Sequence, residues 1–129
     1  METVLGKFMW ADLTVDDAIG LRDFYCAVGG WTWEAVAMGD YDDYIMKNAN
    51  GDVVSGICHH RGVNNKIPPH WINYLTVASV NESATNCEKS GGKLIDGPRK
   101  MGEDVYLLIQ DPAGAYIALY GSHNSFLCF

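Results

Sequence analysis

The sequence has few basic residues and no long hydrophobic run, and both absences limit the partners that the chain can take. Nine Lys and Arg residues stand against sixteen Asp and Glu residues, giving a formal net charge of −7. This charge has the wrong sign for binding a phosphate backbone, and no basic cluster offsets it. No apolar run approaches the roughly 20 residues that cross a bilayer, and the first ten residues lack a secretory-signal pattern. The sequence therefore predicts a cytoplasmic protein that binds neither nucleic acid nor membranes.

Cysteine is scarce as well, and its spacing argues against a zinc site or a redox centre. The four cysteines, Cys26, Cys58, Cys87 and Cys128, lie far apart and form no C-x-x-C pair. Zinc knuckles and dithiol redox motifs need closely spaced pairs. We therefore expect reduced thiols, and we interpret Cys26 and Cys87 as small packing residues of helices.

The composition that remains is that of one globular domain with an internal repeat. Hydrophobic residues make up 48% of the 129 residues and charged residues 19%, which is enough apolar surface for a core. Leu13–Val15 recurs 62 residues later as Leu75–Val77, and Gly29–Gly30 recurs at the same offset as Gly91–Gly92. An ordered series at one offset indicates a duplication. We therefore predict a single domain, residues 1–129, built from two similar modules.

Both modules have the same order of predicted elements: a strand, a helix that ends at the glycine pair, and three further strands. The predicted strands of the first module are 8–15, 31–37, 44–47 and 53–59. Those of the second module are 71–78, 93–96, 105–110 and 116–120, with a helix over 80–90. The modules span about 6–60 and 70–121, and the linker 61–69 contains a Pro-Pro pair that continues neither helix nor sheet. The sequence thus predicts an α+β protein with two tandem βαβββ modules.

Four short stretches add to this pattern: Phe24-Tyr25, Gly29-Gly30-Trp31-Thr32, Pro69-His70-Trp71 and Gln110-Asp111-Pro112-Ala113-Gly114. Together with the tandem βαβββ order, they make the chain resemble the vicinal oxygen chelate superfamily, which contains glyoxalase I, extradiol dioxygenases and the bleomycin and fosfomycin resistance proteins. The chain is most similar to a largely uncharacterised bacterial group of glyoxalase-like proteins. The resemblance implies curved mixed sheets around a pocket between the modules, helices on the convex side, and a homodimer.

The resemblance also implies four metal-ligand positions, on the first and last strand of each module, which carry His or Glu in the metalloenzymes. In this sequence those positions fall on Trp10, Ser55, Ile72 and Ala118, with Gly56 in place of Ser55 if the register shifts by one. None of these side chains is an imidazole or carboxylate donor. We therefore predict no metal and no other cofactor, which removes support for glyoxalase I or dioxygenase activity.

Strand alternation predicts which residues would line the pocket. The opposite set of alternating positions, which includes Leu13, Val15, Leu75 and Val77, is apolar and suits a face that is covered by helices. The predicted pocket residues are Phe8, Trp10, Asp12, Ser55, Ile57, His59, His70, Ile72, Tyr74, Tyr116, Ala118 and Tyr120. This mixture of aromatic and polar groups favours a small, partly apolar ligand.

Asp12 and His70 are the candidate catalytic residues. If the first strands of the two modules are antiparallel neighbours, Asp12 lies opposite His70, and the carboxylate fixes the tautomer of an imidazole that acts as a general base. Alternatively, His70 only begins its strand and bonds to backbone groups. A non-standard metal site that uses His59 or His60 with His70 is a further alternative, although adjacent strand residues face opposite sides.

Two functions follow. The first is metal-independent binding of a small, partly aromatic or cationic ligand, which the acidic composition and aromatic lining favour. The second is a glyoxalase-like lyase, isomerase or epimerase that uses Asp12 and His70 or a non-standard metal site, so the sequence leaves enzymatic activity open. The apolar end, residues 126–129, also allows a role in protein contacts or a dimer interface.

Overall fold

A computed structural model describes residues 4–122, and the repeat is visible in it as two compact units. The first unit comprises Trp10–Trp71, and the second comprises the described residues 4–9 and 72–122. His123 and the apolar end 126–129 lie outside the described residues. Neither helix in the described part of the chain has the length and hydropathy of a membrane-spanning segment.

The element order confirms the predicted α+β class and the two βαβββ modules. The first module contains β1 (Phe8–Val15), α1 (Ala18–Gly29), β2 (Thr32–Ala37), β3 (Asp42–Lys47) and β4 (Val53–His59). A short 3₁₀ helix, Gly62–Asn64, lies in the linker. The second module contains β5 (Trp71–Thr76), α2 (Val80–Lys89), β6 (Lys93–Met101), β7 (Asp104–Gln110) and β8 (Tyr116–Ser122).

The strands of the two units are arranged in the same way. In the first unit their order is β2-β3-β4-β1, with β1 and β4 parallel and the other neighbours antiparallel. In the second unit the order is β5-β8-β7-β6, and β5 and β8 are the parallel pair. The duplication that the sequence indicated is therefore a duplication of topology, and the sheet is mixed as expected.

Each helix covers one face of its own unit. In the first unit, Ala18 of α1 belongs to a buried cluster with Leu13, Tyr44, Met46 and Ile57. The side chain of Asp17 accepts a hydrogen bond from Gly20 N at the start of α1, and Gly30 ends it in the left-handed conformation that glycine adopts without a steric penalty.

In the second unit, α2 begins at the Ser79 cap and packs on an equivalent apolar cluster. That cluster consists of Val80, Ala84, Val105, Leu107 and Leu119. The opposite face of each sheet therefore carries the other set of alternating side chains, and this helix-free face is where functional residues are expected.

One strand is longer than its sequence pattern predicts. The prediction ended β6 at Asp96, yet the strand continues through Gly97 and Pro98 to Met101. Its pairing with β7 shifts in register between Asp96 and Arg99. An irregularity of this kind leaves room for a residue that cannot donate to the ladder, so the strand continues past Pro98.

Candidate functional site

The helix-free face of the second unit carries a layer of tyrosine side chains. Tyr74 pairs with Ala118, and Thr76 pairs with Tyr120, so the predicted pocket residues Tyr74, Ala118 and Tyr120 share one face of the sheet. Ile72 precedes Tyr74 by two residues on β5 and lies on the same face, as does Tyr116 at the start of β8. The alternation predicted for β5 and β8 therefore agrees with their pairing, while ligand binding by these residues stays a prediction.

Tyr106 is a member of this layer that the sequence interpretation missed. It pairs with Tyr120 in the β7–β8 ladder and is 1% exposed. The ring centroid of Tyr74 lies 5.7 Å from that of Tyr106 and 6.1 Å from that of Tyr120. We call these three side chains the tyrosine layer. The alternation of β7 contained the signal, since Tyr106 lies between the core residues Val105 and Leu107 and must face the other side.

Charged groups border the tyrosine layer. The Tyr120 hydroxyl donates a hydrogen bond to Asp104 Oδ2. Burial, reinforced by this bond to Asp104, raises the pKa of Tyr120 to about 12. The Arg99 guanidinium lies 4.6 Å from the centroid of Tyr106, and its Nε is 3.3 Å from Asp96 Oδ2. The border therefore holds two carboxylates, together with one guanidinium that is already engaged by Asp96.

The helix-free face of the first unit centres on Asp12. Trp10 Nε1 donates to Asp12 Oδ1 over 2.5 Å, which fixes the carboxylate. Asp12 pairs with Gly56, and a Cβ atom on Gly56 would lie 2.5 Å from Asp12 Oδ1. The carboxylate thus occupies the space above a glycine, and a larger residue at position 56 would displace it.

The half-buried thiol of Cys58 lies close to Asp12 and to a second carboxylate, that of Asp43. Cys58 pairs with Thr14 in the parallel β1–β4 ladder, and Asp43 on β3 is buried. Burial raises the pKa of the Cys58 thiol, and the negative charges of Asp12 and Asp43 raise it further. Cys58 is therefore a neutral thiol and is poorly suited to act as a nucleophile.

Three predicted pocket residues lie on β4, and the expected face of that strand is wrong. Ile57 pairs with Leu13 and belongs to the α1 core, while Ser55 pairs with the core residue Met46. The prediction counted from the Gly51 turn, but the β3–β4 pairing shifts by one residue at Met46/Lys47. A one-residue shift reverses the face of every side chain beyond it, so the alternative register that selected Gly56 is the one that occurs.

The remaining predicted residues lie at strand ends. His59 is fixed there, because its backbone N–H donates to Asp43 Oδ1 over 2.8 Å and its Nδ1 lies 2.8 Å from the Asp42 carbonyl oxygen. His70 and Phe8 are exposed. The backbone N–H of His70 donates to the Pro68 carbonyl. The Asp12–His70 pair stays a prediction.

The positions that would hold a metal in the superfamily do not offer suitable donors. Trp10 uses its indole N–H as a donor to Asp12, Gly56 has no side chain, and Ile72 and Ala118 are buried apolar residues. Among residues 4–122, no three His, Cys, Asp or Glu side chains come together as a metal site would require. The histidine-based alternative site therefore lacks a three-ligand cluster in that range.

Comparisons with known proteins agree with this architecture. No family model matches the chain. The protein named "Putative glyoxylase CFP32", from Mycobacterium bovis and from Mycobacterium tuberculosis, is 27% identical over 118 residues, which cover 89% of this chain and 45% of the relative. The chain thus spans less than half the length of these curated relatives.

Two solved structures show the likeness in fold. A variant of the Streptomyces coelicolor methylmalonyl-CoA epimerase, in complex with 2-nitronate-propionyl-CoA, superposes with a TM-score of 0.57 at 14% identity, covering 92% of this chain and 99% of the other. A glyoxalase/bleomycin resistance protein/dioxygenase superfamily member from Vibrio splendidus 12B01 gives 0.58 at 11% identity, covering 87% and 96%. At such identities the likeness concerns the fold alone.

Proposed function

From the fold of the vicinal oxygen chelate superfamily, which this chain has, we propose that the protein binds a small, partly aromatic or cationic molecule without a metal. The observation that carries the proposal is the tyrosine layer with the Asp104 carboxylate at its border. Aromatic faces attract cations, and a nearby carboxylate adds a direct charge partner. The net charge of −7 attracts cations over longer distances.

Tyr120 and Asp104 are the residues that would contact the ligand first. Both are half-buried, whereas Tyr74 and Tyr106 are almost completely buried. The two buried rings support Tyr120, and Asp104 holds its hydroxyl. An anionic ligand fits less well, because Arg99 is already occupied by Asp96 and by the ring of Tyr106.

Isothermal titration calorimetry with benzyltrimethylammonium and with its neutral isostere neopentylbenzene tests this proposal. We expect saturable binding of the cation and weaker binding of the neutral compound. Asp104→Asn should weaken cation binding about tenfold, since a charge partner of a partly buried cation is worth on the order of 1 kcal/mol or more. Glu103→Gln is the matched control, because it removes the same charge from the adjacent exposed turn residue. Equal affinity for both compounds would contradict the proposal.

A second candidate function is proton transfer at a carbon acid, as in an epimerase, lyase or isomerase. The Asp12 carboxylate is held by Trp10 above Gly56, which is the kind of fixed orientation that a general base needs. The similarity in fold to a methylmalonyl-CoA epimerase makes methylmalonyl-CoA a reasonable probe. In this reading Asp12 removes the proton next to the thioester carbonyl, and His70 is its partner.

Deuterium exchange into methylmalonyl-CoA in D₂O, followed by NMR, measures that step directly. Activity that Asp12→Asn abolishes and Asp40→Asn leaves unchanged supports the enzyme, since Asp40 is an exposed carboxylate paired with Arg61. No exchange above the uncatalysed rate would eliminate this substrate. Association into a homodimer, which the resemblance implies, belongs to the same proposal, and sedimentation velocity measures it.

A further inference from the structure

The solvent-facing side of α1 carries apolar side chains. Ile19, Phe24 and Val28 are 49%, 52% and 63% exposed. Ala27 is exposed on the same side, and the opposite side of the helix covers the core of the first unit. A surface helix normally turns polar and charged side chains to water, so an apolar outer side marks a place where another molecule can dock. We call Ile19, Phe24, Ala27 and Val28 the outer face of α1.

The second unit shows that the fold does not require this apolar face. The repeat offset of 62 aligns the two helices, since Asp17 and Ser79 cap their N-termini. Ala18 and Val80, one residue later, are both buried. At the same offset, every residue of the outer face of α1 has a polar and exposed counterpart in the second unit. In order, these counterparts are Asn81, Asn86, Lys89 and Ser90.

Negative charge borders the outer face. Asp16 and Asp17 precede α1 and are exposed, and the Asp23 side chain is 60% exposed on the solvent-facing side of the helix. α1 contains no lysine, and the side chain of its one arginine, Arg22, is only 13% exposed. The Arg22 guanidinium lies 3.9 Å from the centroid of the Trp33 ring, and its Nε donates to Asp23 Oδ1 over 2.9 Å. The surface therefore combines apolar side chains with exposed carboxylates.

Charge and area both argue against a second copy of this chain as the occupant. Residues 10–71 include nine acidic and four basic residues, a net charge of −5, whereas the described part of the second unit has six and five, a net charge of −1. Two outer faces in contact would bring like charges together without an exposed basic group from either helix. Four side chains also expose far less area than the roughly 800 Å² per partner of a standard interface. A smaller partner of positive charge fits better.

We propose that the outer face of α1 docks a basic amphipathic helix of a partner protein. Apolar side chains of such a helix recur every three or four residues and can pack against Ile19, Phe24 and Val28. Its Lys or Arg side chains complement the carboxylates that border the face. The twelve residues of α1 span about 18 Å, which matches a partner segment of about three to four turns. The face belongs to the first unit, and the proposal does not depend on ligand binding at the tyrosine layer.

Fluorescence polarisation of the full-length protein with a labelled amphipathic peptide tests the proposal. The probe is a peptide of about 14 residues, made of leucine and lysine in the order that places all leucines on one side of a helix. We expect saturable binding with a Kd in the micromolar range, as suits a small interface. A peptide of the same composition in scrambled order, and one with glutamate in place of lysine, should each bind at least tenfold more weakly. Equal binding of the scrambled peptide would overturn the proposal, because charge alone would then account for the binding.

The second unit supplies matched variants for the outer face. Phe24→Asn and Val28→Ser introduce the residues that the second unit has at these positions, and each should weaken peptide binding about tenfold. Their melting temperatures should stay close to that of the parent, because both side chains are exposed. Val53→Thr changes an exposed apolar residue of β4 and should leave the affinity unchanged. Asp23→Asn should weaken binding several-fold, whereas Asp40→Asn removes the same charge elsewhere and should not.

Two results of these experiments would overturn the proposal. The first is an affinity for the amphipathic peptide that neither Phe24→Asn nor Val28→Ser changes. The second is a dimer of the parent, detected by sedimentation velocity, that Phe24→Asn converts to a monomer, because the face would then be an interface between copies of this chain. If either variant fails to fold, the other variant and Asp23→Asn decide in the same way.

Discussion

The two units have the same strand order, and their parallel pairs β1–β4 and β5–β8 have the same register, yet the side chains of their helix-free faces differ at most corresponding positions. Asp12 lies over Gly56 in the first unit, whereas Tyr74 lies beside Ala118 in the second, each residue being displaced by the repeat offset of 62. The helix-covered faces remain alike, since Leu13 and Leu75 occupy equivalent apolar positions. The two units thus share apolar residues on the faces that helices cover, and they differ in side-chain chemistry on the faces without a helix.

The largest effect should come from Ile57. The sequence interpretation placed this residue on the helix-free face, but it belongs to the core that α1 covers. Ile57 is 0% exposed in the α1 core, so Ile57→Ala should lower the free energy of unfolding by about 3 kcal/mol through lost burial and a cavity. Chemical denaturation measures this. Leu119→Ala, in the equivalent core position of the second unit, is the matched control and should cost a similar amount. A cost below about 1 kcal/mol for Ile57→Ala would mean that this side chain is not in the core.

A smaller effect on stability is expected at position 56, where the first unit has no room for a Cβ atom, whereas the second unit has Ala118 at the equivalent position. Gly56→Ala should lower the free energy of unfolding by about 2 kcal/mol, because the new Cβ would overlap the Asp12 carboxylate while Ala118 fits its own site. In the double variant with Asp12→Ala, the cost of Gly56→Ala should fall to near zero. If Gly56→Ala costs the same free energy of unfolding with and without Asp12→Ala, the two positions are not in contact.

The tyrosine layer predicts a difference at alkaline pH. The pKa of Tyr120 is raised to about 12 in the folded protein, against about 10 in the unfolded chain, so the unfolded state loses its proton first. Stability from this group is fully present below pH 10 and is lost as the pH rises towards 12. Melting temperatures from pH 9 upward should therefore fall less steeply in Tyr120→Phe than in the parent or in Tyr116→Phe. If the melting temperatures of the parent and of Tyr120→Phe fall in parallel with rising pH, the pKa of Tyr120 is not raised in the folded protein.

The smallest effect concerns a hydroxyl that the core of the first unit buries without a partner. Ser55 Oγ has no hydrogen bond within the described residues and lies beside the core residue Met46. Ser55→Ala should raise the free energy of unfolding by about 0.5–1 kcal/mol, because an unsatisfied buried hydroxyl costs more than a methyl group. Ser83→Ala on α2, where the side chain is only partly buried, is the reference and should change little. A loss of stability in Ser55→Ala would indicate a bound water or another partner.

The sequence predicted the scaffold well because repetition and alternation are local signals. The glycine pairs ended both helices, and the alternation on β5 and β8 correctly grouped Tyr74 with Tyr120. The predicted face of β4 is wrong because the bulge at Met46/Lys47 shifts the register by one residue. No local sequence pattern indicates such a shift. Tyr106 and Asp104 were missed because the predicted pocket residues came from the first and last strand of each module, and β7 is neither.

Mapping where an aromatic cation binds shows directly whether the tyrosine layer is the ligand site. Titration of isotope-labelled protein with benzyltrimethylammonium, followed by backbone NMR, compares the equivalent pairs Tyr74/Ala118 and Asp12/Gly56. We expect saturable shifts centred on Tyr74, Ala118 and Tyr120, which Asp104→Asn weakens and Glu103→Gln does not. Shifts confined to Asp12 and Gly56, or to the helix-covered faces, would contradict it.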